Sequence, residues 1–202
     1  PHPPLRIKME VMSMRHSGTA EIETPRLLLR PFKTGDAAAV FRNWASDEKT
    51  TEFLRWPAHK SVETTQRVLD EWITAYDKQN YYQWAIVFKE KVEEPIGSIS
   101  VVEQNERLGM AHIGYCVGRK WWRQGIASEA LSGVISFLFN AVKVNRIEAQ
   151  HDPDNPNSGK VMEKCGMRYE GTRRQADFNN RGIVDAAMYS LLASEYYANQ
   201  KA

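Results

Sequence analysis

The apolar positions of this chain change their period several times, and each change predicts an element. The leucines Leu27 to Leu29 in "ETPRLLLRPF" form a β-like run that stops at Pro31, which suits a first or edge strand. Thr34-Gly35-Asp36 then opens a short helix through Val40 and Trp44. Beyond the loop "FLRWPAHKS", Val68, Leu69, Trp72, Ile73 and Tyr76 fall at three- and four-residue steps, which predicts a helix from about Val62 to Lys78 with Ser61 as its cap. Three strand-like runs follow, "YYQWAIVF", "IGSISVVEQ" and "MAHIGYCVG", separated by the turn-rich "KEKVEEP" and "NERLG". Runs this closely spaced predict an antiparallel meander.

From Ala127 onward the pattern is helical again: Ala130, Leu131, Val134, Ile135 and Leu138 line one face. The strand "RIEAQH" comes next, and Asp152 to Pro156 leads into a helix with Val161, Met162 and Cys165 on its inner side. Asn155 at the cap, Pro156 at the first helical position and Gly166 at the end are each in the preferred place. "MRYEGTRRQADF", a turn at "NNRG" and "IVDAAMYSLL" read as a closing hairpin. The order β-α-α-β-β-β-α-β-α-β-β predicts a mixed α/β (α+β) layer fold with one parallel crossover in the middle of the chain.

Composition narrows the partners. At 202 residues, 42% hydrophobic and 26% charged, the chain fits one soluble domain with a full core of its own. Its 27 basic and 25 acidic residues leave a net charge of only +2, so there is no global field to concentrate nucleic acid, and any anion site must be local. Cys116 and Cys165 form no CxxC pair and no metal spacing, which suits a reducing cytoplasm; each reads as a small buried hydrophobe before a reactive thiol. No apolar run approaches the ~18 residues of a membrane span. The opening "PHPPLRIKMEVMSMRHSGTAE" lacks the apolar centre of a signal peptide, so residues 1–19 are read as an extension and residues 20–202 as the single domain.

One local anion site stands out in "GRKWWRQGIASEAL", residues 118–131. Unpaired N–H groups and the dipole at a helix start attract negative charge, and Gly125 has no side chain to block a phosphate. Arg119, Lys120 and Arg123 add cations nearby. There is no GxxxxGK[ST] and no GxGxxG after a strand, so the stretch reads either as an ordinary solvated cap or, in its strand–loop–helix context, as a site for a phosphorylated ligand held by neither a Walker lysine nor a dinucleotide fold.

The stretch "IGYCVGRKWWRQGIASEAL" resembles the acyl-CoA-binding motif of the GNAT superfamily of N-acetyltransferases, and within it the ribosomal-protein N-acetyltransferases of the RimJ/RimL type. "ETPRLLLRPF", "LRWPAHKS", "DNPNSGKVMEKCGMRYEG" and "DAAMYSLLASEY" match that branch in order, so the likeness covers residues 21 to about 197. It implies a GNAT-type acyl-CoA N-acyltransferase fold, a mixed central sheet flanked by helices with its central parallel strands splayed. It also implies acetyl-CoA as donor, with coenzyme A as product. The pyrophosphate would lie on the amides of Arg123, Gln124, Gly125, Ile126 and Ala127, with Trp122 beside them. The pantetheine arm would run along Cys116, Val117 and Gly118, with the Val117 N–H as oxyanion donor, and Asn155 and Ser158 match the family's Asn-x-x-Ser at the arm and thioester. The chain departs from the pattern at Trp122, where many members carry Gln or Arg, and at His112, where relatives often carry Glu before Ile-Gly-Tyr.

Acetyl transfer to an amine requires an uncharged nucleophile, a stabilised oxyanion and a proton for the thiolate. A peptide α-amine titrates near pH ~8 and needs little help, whereas a lysine near ~10.4 needs more. His151, at the end of the crossover strand, is a candidate base or a solvent-facing strand end. His112 could line the acceptor pocket or be a satisfied core histidine, and Glu103 is a carboxylate base or a solvated edge charge. Ser158 is a thiolate acid or a local backbone partner. Trp121 and Trp122 wall the cofactor or pack under the loop, and Arg55, Trp56 and His59 shape the acceptor pocket or pack on the surface.

The reading is an acetyl-CoA-dependent N-acetyltransferase acting in a ternary complex on a primary amine, preferably a protein or peptide N-terminus. A small-molecule amine as acceptor and a non-catalytic acyl-CoA sensor are the alternatives. No nucleic acid, metal or membrane is expected as a partner, and a homodimer is compatible with the pattern.

Overall fold

In the computed structural model, which describes residues 13–201, the strand-like runs assemble into one eight-stranded sheet. The elements in chain order are β1 (Ile22–Glu23), β2 (Leu27–Arg30), α1 (Ala37–Val40), α2 (Glu48–Thr51), α3 (Val62–Ala75), β3 (Gln83–Phe88), β4 (Gly97–Asn105) and β5 (Met110–Val117). They continue with α4 (Ile126–Phe137), β6 (Arg146–His151), α5 (Pro156–Lys164), β7 (Arg168–Asn179), β8 (Gly182–Leu192) and α6 (Ala193–Asn199). The sheet order is β1-β2-β3-β4-β5-β6-β8-β7. Strands β3 to β5 form the expected antiparallel meander, which β1 and β2 extend at one edge, and α4 carries the chain across to β6, which pairs with β5 in parallel.

The two sheet faces bury different helices. Ile113 and Val117 of β5 and Ile147 and Ala149 of β6 meet the apolar face of α4, built from Ala130, Leu131, Val134 and Ile135. Phe32, Val40, Trp44 and Leu69 form a second cluster on the opposite face with α1 and α3, and Cys116 packs against it. Because strand side chains alternate, His112 and Gly114 share the Cys116 face while Tyr115 shares the Val117 face. This alternation fixes which groups later meet at the site.

Several local expectations are refined. The short helix after Asp36 is broken by a wider π turn over Phe41–Ala45, and α3 stops at Ala75 rather than Lys78. Ser61 Oγ accepts the Thr64 N–H at 3.3 Å, as its position at the cap requires. Asn155 occupies the cap position of α5 but makes no side-chain cap hydrogen bond, since its backbone (φ −112°, ψ 66°) departs from the usual extended cap. Residues 1–12 of the expected extension lie outside the described residues. The remainder is part of the fold: Met14 is buried in the main core, Arg15 N–H donates to Val142 O, and the His16 ring lies 2.9 Å from Tyr82 Oη. Polar composition around one apolar Met concealed that docking. Among the described residues no helix is long and apolar enough to cross a membrane.

Candidate active site

The parallel ladder between β5 and β6 has only three rungs, Met110–Arg146, Ala111–Ile147 and His112–Glu148. Beyond them β5 stays on β4 as far as Val117, and β6 stays on β8 as far as His151, so the two strands part after His112 and Glu148. Gly118 N–H donates to Ile96 O on the β4 side, so alternation turns the Val117 and Tyr115 main chain to the parting side. Of the three residues expected along the pantetheine arm, Val117 therefore offers its N–H to the gap, its carbonyl being taken by the Trp122 indole. Gly118 gives its amide to Ile96 instead, and Cys116 lies in register with Ser98 of β4. The Cys116 side chain is on the far face, where burial pushes its thiol up to about 12.

The loop from Gly118 into α4 is held by specific contacts. Trp122 donates its indole N–H to Val117 O at 2.7 Å and is 44% exposed, whereas Trp121 packs against the core with the Lys120 ammonium 5.4 Å above its ring. Gln124 donates its amide to Lys120 O at 3.3 Å. Arg123 (φ 61°) and Gly125 (φ 74°) are both left-handed, an arrangement that turns successive N–H groups into one concavity. Ile126 and Ala127 open α4 with N–H groups that have no partner within the helix.

A side chain at Gly125 would fill this concavity. Its Cβ would stand 3.4 Å from Arg26 Nη2, 3.9 Å from Lys164 Nζ and 4.0 Å from Ser128 Oγ. Two cations thus converge on an open backbone turn, Arg26 through Nη2 while its Nε pairs with Glu129 at 2.8 Å, and Ser128 Oγ donates to Gly125 O at 3.1 Å; the amides and cations fit a diphosphate. Sequence reading assigned the cations differently: Arg119 pairs instead with Asp47 at 3.2 Å. Arg26 and Lys164 reach the turn from β2 and α5, a convergence that only tertiary structure provides.

On the α5 side of the gap, the Tyr115 hydroxyl donates to the Ser158 carbonyl oxygen at 3.1 Å and lies 3.0 Å from Ser158 Oγ, a contact in which either hydroxyl can be the donor. Burial raises the Tyr115 phenol well above its ordinary value, so it remains protonated. His151 is also on this side but does not open onto the gap. Its Nδ1–H donates to Asp152 O at 2.7 Å, which leaves Nε2 as a buried lone pair without a partner. Gly159 covers that nitrogen so closely that a Cβ there would stand 2.6 Å away.

The opposite side gathers polar groups from four strands and a loop. His112 Nδ1 lies 3.4 Å from Glu148 Oε2, and Arg146 Nε donates to Glu148 Oε1 at 2.9 Å. Glu103 is exposed and faces His112 across β4, at a bulge after Val101. Arg55 pairs with Asp177 at 2.7 Å and lies 5.3 Å from the centre of the Phe178 ring; Gln150 donates to the same Asp177 at 2.6 Å. The β7–β8 turn fastens this loop: Asn180 N–H donates to Leu54 O, and its side chain to Thr51 O and Trp56 O. The Trp56 and His59 rings pack at a tilt, centroids 4.9 Å apart, and help line a cavity of about 200 Å³ with Trp44, Leu69 and Trp72. His59 Nδ1 is 2.7 Å from Thr65 Oγ1, and burial lowers the His59 pKa.

The acetyltransferase (GNAT) domain family matches residues 26–168. The chain is similar to the uncharacterized N-acetyltransferase YoaA of Bacillus subtilis, 31% identical over 171 residues that cover 85% of this chain and 96% of the relative. It is 29% identical to the ribosomal-protein-serine acetyltransferase of Escherichia coli over 137 residues, 68% of this chain and 75% of the relative. A GNAT-family acetyltransferase from Bacillus anthracis superposes with a TM-score of 0.76 at 25% identity, covering 87% of this chain and all of the other. With the parted parallel strands and the glycine turn at the head of α4 already in place, these likenesses make the chain a member of the GNAT family of N-acetyltransferases.

Proposed function

We propose that the protein transfers an acetyl group from acetyl-CoA to the N-terminal amine of a protein or peptide, with both substrates bound at once, in the manner of the RimJ/RimL branch. The observation that carries this reading is the gap beyond the His112–Glu148 rung, which lies between the Val117 backbone and the Tyr115–Ser158 pair. A likeness to a ribosomal-protein-serine acetyltransferase supports a protein, with a serine at the acceptor position, as the substrate. GNAT enzymes use acetyl-CoA, which supplies an already activated thioester.

Each remaining role falls to a group of this chain. The amides from Arg123 to Ala127, with Arg26 and Lys164, hold the diphosphate, and Trp122 braces them against Val117. The Val117 N–H stabilises the oxyanion. Asn155 and the Val117 backbone orient the arm, and the Tyr115 hydroxyl relays a proton through Ser158 to the departing sulfur. Arg55, Trp56 and His59 form the acceptor wall, held in place by Asp177, Asn180 and Thr65.

The test is thiol release from acetyl-CoA with a panel of short peptides of different N-termini and a matched panel of small amines. Turnover confined to peptides with a preferred first residue is the expected result. Turnover with small amines alone would reassign the acceptor, and acetyl-CoA binding without turnover on either panel would make the site a sensor.

A further inference from the structure

Two histidines lie where β5 and β6 part, and the structure distinguishes between them. His151 Nε2 is sealed against Gly159 without a partner. Among the described residues, only that nitrogen and Gln104 Oε1 are buried side-chain polar atoms lacking hydrogen bonds. His112 is 8% exposed and stands opposite Glu148 on the parallel ladder. Its Nδ1 is turned to Glu148, on the last rung before the gap, so Nε2 is the nitrogen left for a ligand.

We infer that His112 is the proton acceptor of the transfer and that Glu148 is its positioning residue, anchored in turn by Arg146. Resting on the acetyl-transfer reading, this assignment adds the identity of the base. Glu148 receives Arg146 Nε at 2.9 Å on one oxygen and faces His112 Nδ1 with the other, so the carboxylate favours the tautomer protonated at Nδ1 and basic at Nε2. Glu103 is exposed and has no comparable anchor. In the step itself, the amine nitrogen bonds to the acetyl carbon and the carbon–sulfur bond breaks. The amine proton passes to His112 Nε2 and then to solvent, while the sulfur takes the Ser158 hydroxyl proton, which is replaced from the Tyr115 hydroxyl and in turn from solvent.

The charge around His112 sets the expected pH dependence. Burial lowers its pKa; Glu148 of β6 and Glu103 of β4 pull it upward, and Arg55, tied to Asp177 of β7, pushes it down. A neutral imidazole is the active form, so kcat should fall on the acid side as His112 takes a proton. Removing the Glu148 charge destabilises the imidazolium and moves that limb to lower pH.

The experiment measures kcat against pH with saturating acetyl-CoA and a short peptide bearing an N-terminal serine, for the wild type, His112→Gln and Glu148→Gln. Loss of about 100-fold in kcat with disappearance of the acid limb is expected for H112Q, and an acid-shifted limb for E148Q. Retention of kcat within about threefold by H112Q with the limb intact, or an unmoved limb in E148Q, overturns the assignment. If H112Q shows no cooperative melt, the E148Q limb decides. Wild-type enzyme that releases no thiol with any peptide or amine refutes the acetyl-transfer reading instead, so the two failures are distinguishable.

Discussion

Tyr115 and Ser158 meet hydroxyl to hydroxyl, 3.0 Å apart, although one belongs to β5 and the other to the first turn of α5. The contact borders the gap left by the parting strands on its α5 side. Since burial keeps the phenol protonated, the pair stays in its hydrogen-donating form at any working pH. Tyr115→Phe and Ser158→Ala should each lower kcat about 10- to 100-fold. Both should leave the KM for acetyl-CoA within about threefold, and the double variant should be little worse than the poorer single, because the two act as one relay. Steady-state kinetics on the four proteins checks this, and fully multiplicative losses would refute the relay.

Trp122 exposes nearly half its surface yet donates its indole N–H to Val117 O at 2.7 Å. Its value lies in fixing the loop, since a residue this exposed contributes little burial. Trp122→Phe keeps the ring and removes the donor, at a cost of about 0.5–1.5 kcal/mol in loop order. The expected result is a roughly 3- to 10-fold weaker acetyl-CoA affinity by titration calorimetry, with a melting temperature shifted by only a few degrees. Unchanged affinity would show that the bond does not organise the site.

Arg30 and Asp36 form a buried bidentate pair, both bonds 2.9 Å, with side chains only 3% and 2% exposed. Asp36 also accepts the Lys33 N–H at 2.7 Å, and Arg30 donates to Val92 O at 2.9 Å. Asp36→Ala leaves a buried guanidinium without its counter-charge and should cost about 3–5 kcal/mol, read from the denaturant midpoint. Arg30→Met in the same chain should recover part of that loss by removing the stranded charge. A single variant within about 1 kcal/mol of wild type would show that the pair is neutral to folding.

The meander, the crossover and the helix entrance were legible because each depends on short-range pattern: alternation in "IGSISVVEQ", helical steps from Ala130 to Leu138, and a glycine before an apolar helix. Tyr115, Glu148, Arg26 and Lys164 were not singled out. Tyr115 sat inside a recognised strand, and only the register of β5 against β6, together with the docking of α5, reveals what it faces. Glu148 becomes the partner of His112 through a parallel rung that joins residues 36 positions apart by their numbering. His151 was misplaced for a complementary reason: ending a strand near the gap does not decide which face a side chain takes. Here alternation gives it to the α5 face with Ile147 and Ala149.

Gly125 separates stability from ligand affinity. Its left-handed backbone penalises any Cβ, so Gly125→Ala should cost about 1–2 kcal/mol of stability. Gly125→Glu meets the same strain but brings a carboxylate towards Arg26 Nη2 and Lys164 Nζ, which already converge on that point. The charge attraction should recover part of the alanine variant's loss in melting temperature, while the carboxylate repels and displaces the diphosphate. Acetyl-CoA affinity should therefore fall more than about 100-fold in the glutamate variant and about 10-fold or less in the alanine variant, equivalent to ~2.7 and ~1.4 kcal/mol. Thermal melts paired with calorimetric titrations separate the two effects. If both variants lose affinity equally, backbone strain alone governs the turn, and the cations of Arg26 and Lys164 have no part in holding the donor.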